Sequence, residues 1–314
     1  MDIEEAILRT VLYADIFDYP LTPAEIHYYL ISTSASAQQV LSIIENSPWL
    51  RSRLVLTRGF VTLSGRQSIA AVRETRSRSS AQLWPVARRW AAVVGGLPFV
   101  RMVAVTGALA VDNAPPGDDI DYLIVTTPGR VWLSRALTVA MVRVARLFGV
   151  GLCPNYVLAQ SALSQQRRNL FIAHDLAQMV PLAGQTVYSE MRAANPWAAD
   201  YLPQAHGPLK AEPELRLARW QSALQRAGEW LLGGWVGDAL ERWERDRKLR
   251  KFAPVAGQAS SAAELDADRV KGHFDDHGHP ILIKFNERVQ YYLADRNQPG
   301  VVASSAVWSE EAAD

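Results

Sequence analysis

The chain has 314 residues, with 33 Lys+Arg against 32 Asp+Glu, 49% hydrophobic residues and ten Trp. A formal charge of +1 excludes a bulk polycation of the histone kind, and the apolar content excludes disorder throughout. Cys153 is the sole cysteine, so no intrachain disulfide can form; Asp2, Glu4 and Glu5 stand where a signal peptide would be basic and then apolar, and a cytoplasmic location is expected.

Ile3, Ile7, Val11, Ala14 and Phe17 recur at helical intervals and predict a first amphipathic helix. Tyr19-Pro20 breaks it. Thr22-Pro23-Ala24-Glu25 combines a capping Thr, a first-turn Pro and a Glu three residues after the cap, which starts a second helix running to about Leu30. A third helix is expected from Ser36 to Asn46. Leu54–Thr57 and Phe60–Leu63, joined by Arg58-Gly59, read as a hairpin. Three helices and a hairpin within residues 1–65 follow the order of a winged helix-turn-helix.

Arg66 to Gly95 reads as a basic helix interrupted at Pro85. Strands are expected over 100–106, 122–126 and 152–158, with a helix over 130–148 between the last two. That helix is the most apolar stretch, but Arg135, Arg143 and Arg146 make it an expensive membrane span, and no membrane partner is expected. Alternating strand and helix give residues 66–166 the pattern of an α/β domain. Residues 167–300 read as a mainly helical region, with helices over 168–179, 190–201 and 214–250 and a bend at Gly233-Gly234. Leu217, Trp220, Leu224, Leu231 and Trp243 form a helical stripe expected to be core. Gly257–Ala263 reads as a loop, and residues 301–314 as a flexible tail. His273-Phe-Asp-Asp-His-Gly-His279 reads as a polar turn rather than a metal site, having neither Cys nor the helical spacing of paired histidines. The fold class expected is mixed, α+β with α/β.

The segment that carries chemistry runs from Val103 to Val125. A buried strand ends at Thr106-Gly107, where a glycine lets backbone approach a phosphate. After the loop Ala114-Pro115-Pro116-Gly117, Asp119 and Asp121 alternate with Ile120 at the start of an apolar strand, so period-two geometry turns both carboxylates to one face. Paired carboxylates beside a phosphate-binding turn suit Mg²⁺-assisted phosphoryl or nucleotidyl transfer. The bland alternative is a polar turn between two core strands, with Asp118 and Asp119 as turn and capping residues.

At these residues the chain resembles the DNA polymerase beta-like nucleotidyltransferase superfamily, marked by a Gly-Ser turn followed some ten residues later by an Asp-x-Asp strand. The resemblance implies that Asp119 and Asp121 hold one or two Mg²⁺ ions, and that Thr106, Gly107 and Ala108 contact the phosphates of a nucleoside triphosphate. It further implies that an acceptor hydroxyl, deprotonated near a third carboxylate, attacks the α-phosphorus. The chain departs from the pattern twice. Ala108 replaces the usual Ser, and the strand Cys153-Pro-Asn-Tyr-Val-Leu-Ala159 carries no acid, leaving Asn155 there and Asp175 in the following helix as the nearest carboxylate. A non-catalytic regulator with this fold is the competing reading.

Charge is distributed unevenly. Residues 1–50 hold seven acids and one Arg, a net −6, whereas residues 51–100 hold nine Arg and one Glu, a net +8. The expected recognition helix has no cation, which makes it a poor reader of DNA. The arginine band, including Arg51, Arg53, Arg58, Arg73, Arg76, Arg78, Arg88 and Arg89, can instead hold a nucleic-acid partner or, through Arg88 and Arg89, the nucleotide; pairing with the acidic head is the structural alternative. No motif specifies the base, the acceptor or the oligomeric state.

Overall fold

The computed structural model describes residues 1–256, 265–271 and 278–294. Local capping chemistry sets the first elements. Asp2 accepts from the Glu5 N–H at 2.8 Å and starts α1 (Ile3–Asp15). Reciprocal Thr22/Glu25 and Ser36/Gln39 pairs start α2 (Pro23–Tyr28) and α3 (Ala37–Asn46), satisfying N–H groups that a helix start leaves bare. The single turn α4 (Pro48–Arg51) leads to the hairpin of β1 (Leu54–Thr57) and β2 (Phe60–Leu63), and Leu21 bridges to Val61. The basic segment forms one unbroken helix, α5 (Ile69–Gly95), with Pro85 inside it on an exposed position, not the interrupted helix expected.

The centre is a mixed five-stranded sheet in the order β6-β3-β4-β5-β7. It consists of β3 (Val100–Val105), β4 (Ile120–Thr126), β5 (Leu152–Ala159), β6 (Val180–Ala183) and β7 (Arg269–Lys271). Strand β3 runs antiparallel to β4 and β6; β4 and β5 are parallel; β7 is antiparallel to β5. The one-turn α6 (Gly107–Ala110) follows β3, and α7 (Val131–Leu147) makes the crossover that a parallel β4/β5 pair requires. The remaining helices are α8 (Leu170–Gln178), α9 (Gln185–Ala193), α10 (Ala198–Tyr201), α11 (Arg219–Leu232), α12 (Trp235–Ala256) and α13 (Gly278–Leu293). Glu241 of α12 accepts from the Trp132 and Leu133 N–H groups at 2.9 and 2.7 Å, placing a carboxylate at the start of α7 where the helix dipole favours it.

The two sheet faces bury different partners. Val103, Val105, Tyr122, Ile124 and Val157 pack under Trp84, Ala87 and Ala91 of α5 and Trp132 of α7. Met102, Ala104, Leu123, Val125 and Leu158 belong to a second core that continues into α1, α2, α3, β2 and α8. The N-terminal helices therefore share apolar burial with the sheet. Asp121 falls in the same alternation as Leu123 and Val125, so it leaves β4 on the face toward α1 and α8.

Residues 167 onward are less helical than expected. Strand β6 closes one sheet edge and β7 the other. The helix expected over 190–201 breaks at Asn195-Pro196, and that over 214–250 begins only at Arg219, while its break at Gly233-Gly234 falls at the expected bend. Most of the apolar stripe expected in the core lies on the surface: Trp220, Leu224, Leu231 and Trp243 are exposed, as are Trp230 and Trp235, and Leu217, half-buried, precedes α11. The reason is that α11 seats through its polar edge. Gln225 donates to the carbonyls of Gly95, Leu97 and Val100, and Glu229 accepts from the Phe99 N–H and Arg101. Among the described residues no helix is long and apolar enough to cross a membrane. The expected loop at 257–263, the histidines and aspartates at 273–277 and the tail at 301–314 lie outside the described residues.

Candidate functional site

Backbone pairing brings the two halves of the Gly107/Asp121 segment together. The Thr106 N–H donates to the Asp121 carbonyl at 3.0 Å, extending the β3/β4 ladder by one bond and holding the turn beside the start of β4. Gly107 adopts φ +68°, and a Cβ there would stand 2.5 Å from Asp121 Oδ2. Both the backbone and the close approach thus require glycine. On the other flank the Ile120 N–H donates to the Gly151 carbonyl at 3.0 Å, and a Cβ at Gly151 would overlap the Asp119 carboxylate. Each carboxylate of the pair is seated against a glycine of a neighbouring strand end.

Asp121 is half-buried, and desolvation pushes its carboxyl up to about 6 despite a hydrogen bond from Cys153; Asp118 and Asp119 add like charge. Burial and the Asp121 charge in turn push the Cys153 thiol up to about 12, so it stays a neutral donor and not a nucleophile. Cys153 stands opposite Asp121 in the β4/β5 register, and Asn155 lines the cleft beyond it. No acid projects from β5.

The nearest further carboxylate comes from α8. Asn169 accepts from the Ile172 N–H at 3.0 Å to start this helix, whose buried side sets His174 on the Tyr13 ring at a centroid distance of 4.1 Å. Asp175, one residue on, opens into a cleft of about 310 Å³ that it shares with Gly107, Asp121, Asn155, Arg167 and Lys271. Its side chain is exposed at the cleft; desolvation by the protein packed around it raises its carboxyl to about 6, Lys271 opposing and Asp121 adding to the rise. Lys271 reaches this place from β7, paired with Tyr156 of β5. Arg167, Lys271 and Gly151 carry no local sequence signal; Asp175 stands out in the sequence only by its nearness to the third strand.

The donor set fits Mg²⁺. The ion takes hard oxygen ligands, keeps several waters, and is usually held by one or two carboxylates with substrate phosphates rather than by a closed protein cage. Asp121 supplies one such carboxylate on the cleft wall, and Asp119, exposed ahead of β4 and outside the cleft lining, supplies a second beside it. Among the described residues no group of three His, Cys, Asp or Glu side chains sits at metal-binding spacing. Thr106 Oγ1, on the cleft wall, is buried without a hydrogen-bond partner. Helix α6 is one turn long, so any phosphate contact at Thr106, Gly107 and Ala108 rests on individual groups and not on a helix dipole.

The arginine band is largely committed within the protein. Arg66 pairs with Asp15 and Asp18 at 3.2 and 2.5 Å, Arg73 with Glu25 at 2.9 Å, and Arg76 with the Phe17 carbonyl at 3.0 Å. Arg58 meets Glu74, and Arg53 lies over Trp49. Arg88 is held by Glu212 and the Pro213 carbonyl at 3.0 and 3.1 Å, and Arg89 is exposed. Both belong to α5, on the sheet face opposite Asp121, and do not join the cleft. No family model, curated protein or solved structure matches the chain.

Proposed function

We propose that the protein is a cytoplasmic, Mg²⁺-dependent nucleotidyltransferase of the DNA polymerase beta-like kind, with a winged helix-like unit at 1–65 packed on a nucleotidyltransferase-type domain. The observation that carries this reading is the seating of Asp121, the second residue of β4, and of Asp119, exposed just ahead of that strand, each against a glycine cut-out, with Gly107 forming the tight turn beside Asp121. A plain polar turn between core strands has no need of a carboxylate desolvated to a pKa of about 6 at a cleft wall.

In this reading Asp119 and Asp121 hold Mg²⁺, which when bound neutralises phosphate charge and polarises the α-phosphate. Thr106 Oγ1 and the backbone at Gly107 and Ala108 contact phosphate oxygens. Lys271 and Arg167, across the cleft, offset the charge of the nucleotide and of the departing pyrophosphate. Asp175 takes the proton of the acceptor hydroxyl, a role suited to a carboxyl poised near neutral pH. Positioning and electrostatics do most of the work, as in other phosphoryl-type transfers. The supporting experiment is calorimetric titration with ATP and Mg²⁺. Binding that is lost in Asp121→Ala agrees with the reading, and binding indifferent to that change sinks it.

The lack of an acid on β5 favours one second reading, a nucleotide-binding regulator without transfer. It is distinguished by ATP–Mg²⁺ binding of normal strength with no labelled product from any acceptor. A nucleic-acid partner gains little from the band, because most of its cations already have protein partners.

A further inference from the structure

Between α1, α6 and α8 lies a second cavity, of about 190 Å³, walled by Tyr13, Phe17, Tyr29, Val111 and Phe171. We propose that this cavity is the acceptor pocket. It takes the planar apolar ring of a small hydroxylated compound, whose hydroxyl reaches past Gly107 to Asp121 and Asp175. The inference rests on the nucleotidyltransferase reading and names its substrate class.

Three observations carry it. First, the cavity and the carboxylate cleft share Gly107, Phe171 and Asp175 as walls, so a molecule in one adjoins a molecule in the other. Second, size and lining suit a ring. An apolar protein cavity of about 150 Å³ accommodates benzene, and the rings here are fixed, Tyr13 stacked on His174 at 18° and set edge-on to Phe285. The volume leaves room for one substituted ring.

Third, two polar groups at the wall lack partners. Tyr13 is 4% exposed, its hydroxyl makes no hydrogen bond among the described residues, and it senses the charge of Asp175. Asn113 is 5% exposed; its Nδ2 donates to the Phe17 carbonyl at 3.3 Å, which fixes the amide orientation because a carbonyl only accepts, and Oδ1 is left without a partner. Two such groups match a ring bearing a hydroxyl. A nucleobase edge, with three or more donors and acceptors, would leave several unsatisfied in an apolar space.

The step balances without further reactants. The acceptor oxygen forms a bond to the α-phosphorus of a nucleoside triphosphate, the bond from that phosphorus to the bridging oxygen breaks, pyrophosphate leaves, and the hydroxyl proton passes to the Asp175 carboxylate.

2-Phenylethanol, a ring with one primary hydroxyl, is the probe. Its binding to the full chain is read by saturation-transfer NMR and titration, beside calorimetry with ATP and Mg²⁺. The expected result is saturation of the ring protons in wild type, a loss of affinity of about tenfold or more in Val111→Trp, and a smaller loss in Tyr13→Phe, with ATP–Mg²⁺ binding unchanged in both. Tyr13→Phe removes one oxygen and serves as the test if the tryptophan variant does not fold. Equal affinity in wild type and both variants, or no binding to folded wild type that does bind ATP–Mg²⁺, overturns the pocket. Binding of the probe with no binding of ATP–Mg²⁺ overturns its acceptor role through the nucleotide reading and leaves a ring-binding site.

Discussion

Asp121→Asn should make the protein more stable while removing its ability to hold Mg²⁺. The carboxyl is pushed from 3.8 to about 6 chiefly by desolvation, with like charge from Asp118 and Asp119. A group raised in the folded state favours folding when protonated and opposes it when ionised, so its stability contribution fades as pH climbs from about 4 to about 6. At roughly 1.4 kcal/mol per pH unit the ionised side chain costs the apo protein about 3 kcal/mol at pH 8. Asparagine has the same shape, keeps an oxygen for the Cys153 thiol and carries no charge. Urea unfolding at pH 8 should therefore show Asp121→Asn more stable by up to about 3 kcal/mol, and at pH 4 the gain should shrink toward zero. Added Mg²⁺ should stabilise wild type at pH 8 and leave the variant unmoved. An unchanged or lower stability at pH 8, or an equal gain at both pH values, would refute the claim that this carboxylate is held against its own solvation for function.

Gly107→Ala should lose about 1–3 kcal/mol of stability through the positive φ and the clash with Asp121 Oδ2, and lose ATP–Mg²⁺ binding by calorimetry. In wild type the transfer rate should rise through pH 6 as Asp121 and Asp175 ionise; Asp175→Asn should lower kcat while leaving nucleotide affinity within about twofold, and a parallel loss of both would deny it a role in proton transfer. Glu25→Ala strands the buried Arg73, which stacks on Tyr19 at 3.9 Å, and should cost about 3–5 kcal/mol in denaturant unfolding, with Arg73→Ala added to it recovering part. Arg88→Ala with Arg89→Ala should leave ATP–Mg²⁺ affinity unchanged, since both residues lie across the sheet from the cleft; a tenfold loss would move the nucleotide to α5.

Features written in adjacent residues were legible in the sequence. The Thr22/Glu25 cap, the hairpin at Arg58-Gly59, the strands around Asp121 and the α7 crossover all follow from local pattern and are present as read. One short segment likewise brings Gly107 beside Asp121, whereas Asp119 stays exposed ahead of β4 and outside the cleft lining. Strand β6 did not, since Val180–Ala183 is four apolar residues without alternation, and only pairing with β3 makes it a strand. The tryptophan stripe shows the same limit. Periodicity predicts an apolar helix face, but not what covers it, and Gln225 and Glu229 anchor the opposite edge. In the cleft, Lys271 arrives from a three-residue strand and Gly151 matters only through the Asp119 carboxylate beside it. The arginine band was visible as charge, whereas its consumption by Asp15, Asp18 and Glu25 is a tertiary fact.

Incubation of the full chain with each α-labelled nucleoside triphosphate, Mg²⁺ and a pool of small hydroxylated acceptors, beside Asp119→Ala plus Asp121→Ala, decides whether the two carboxylates perform transfer. A labelled product formed by wild type and absent from the folded double variant is the expected result. Identical products from both proteins, or none from wild type at any pH above 6, would contradict it.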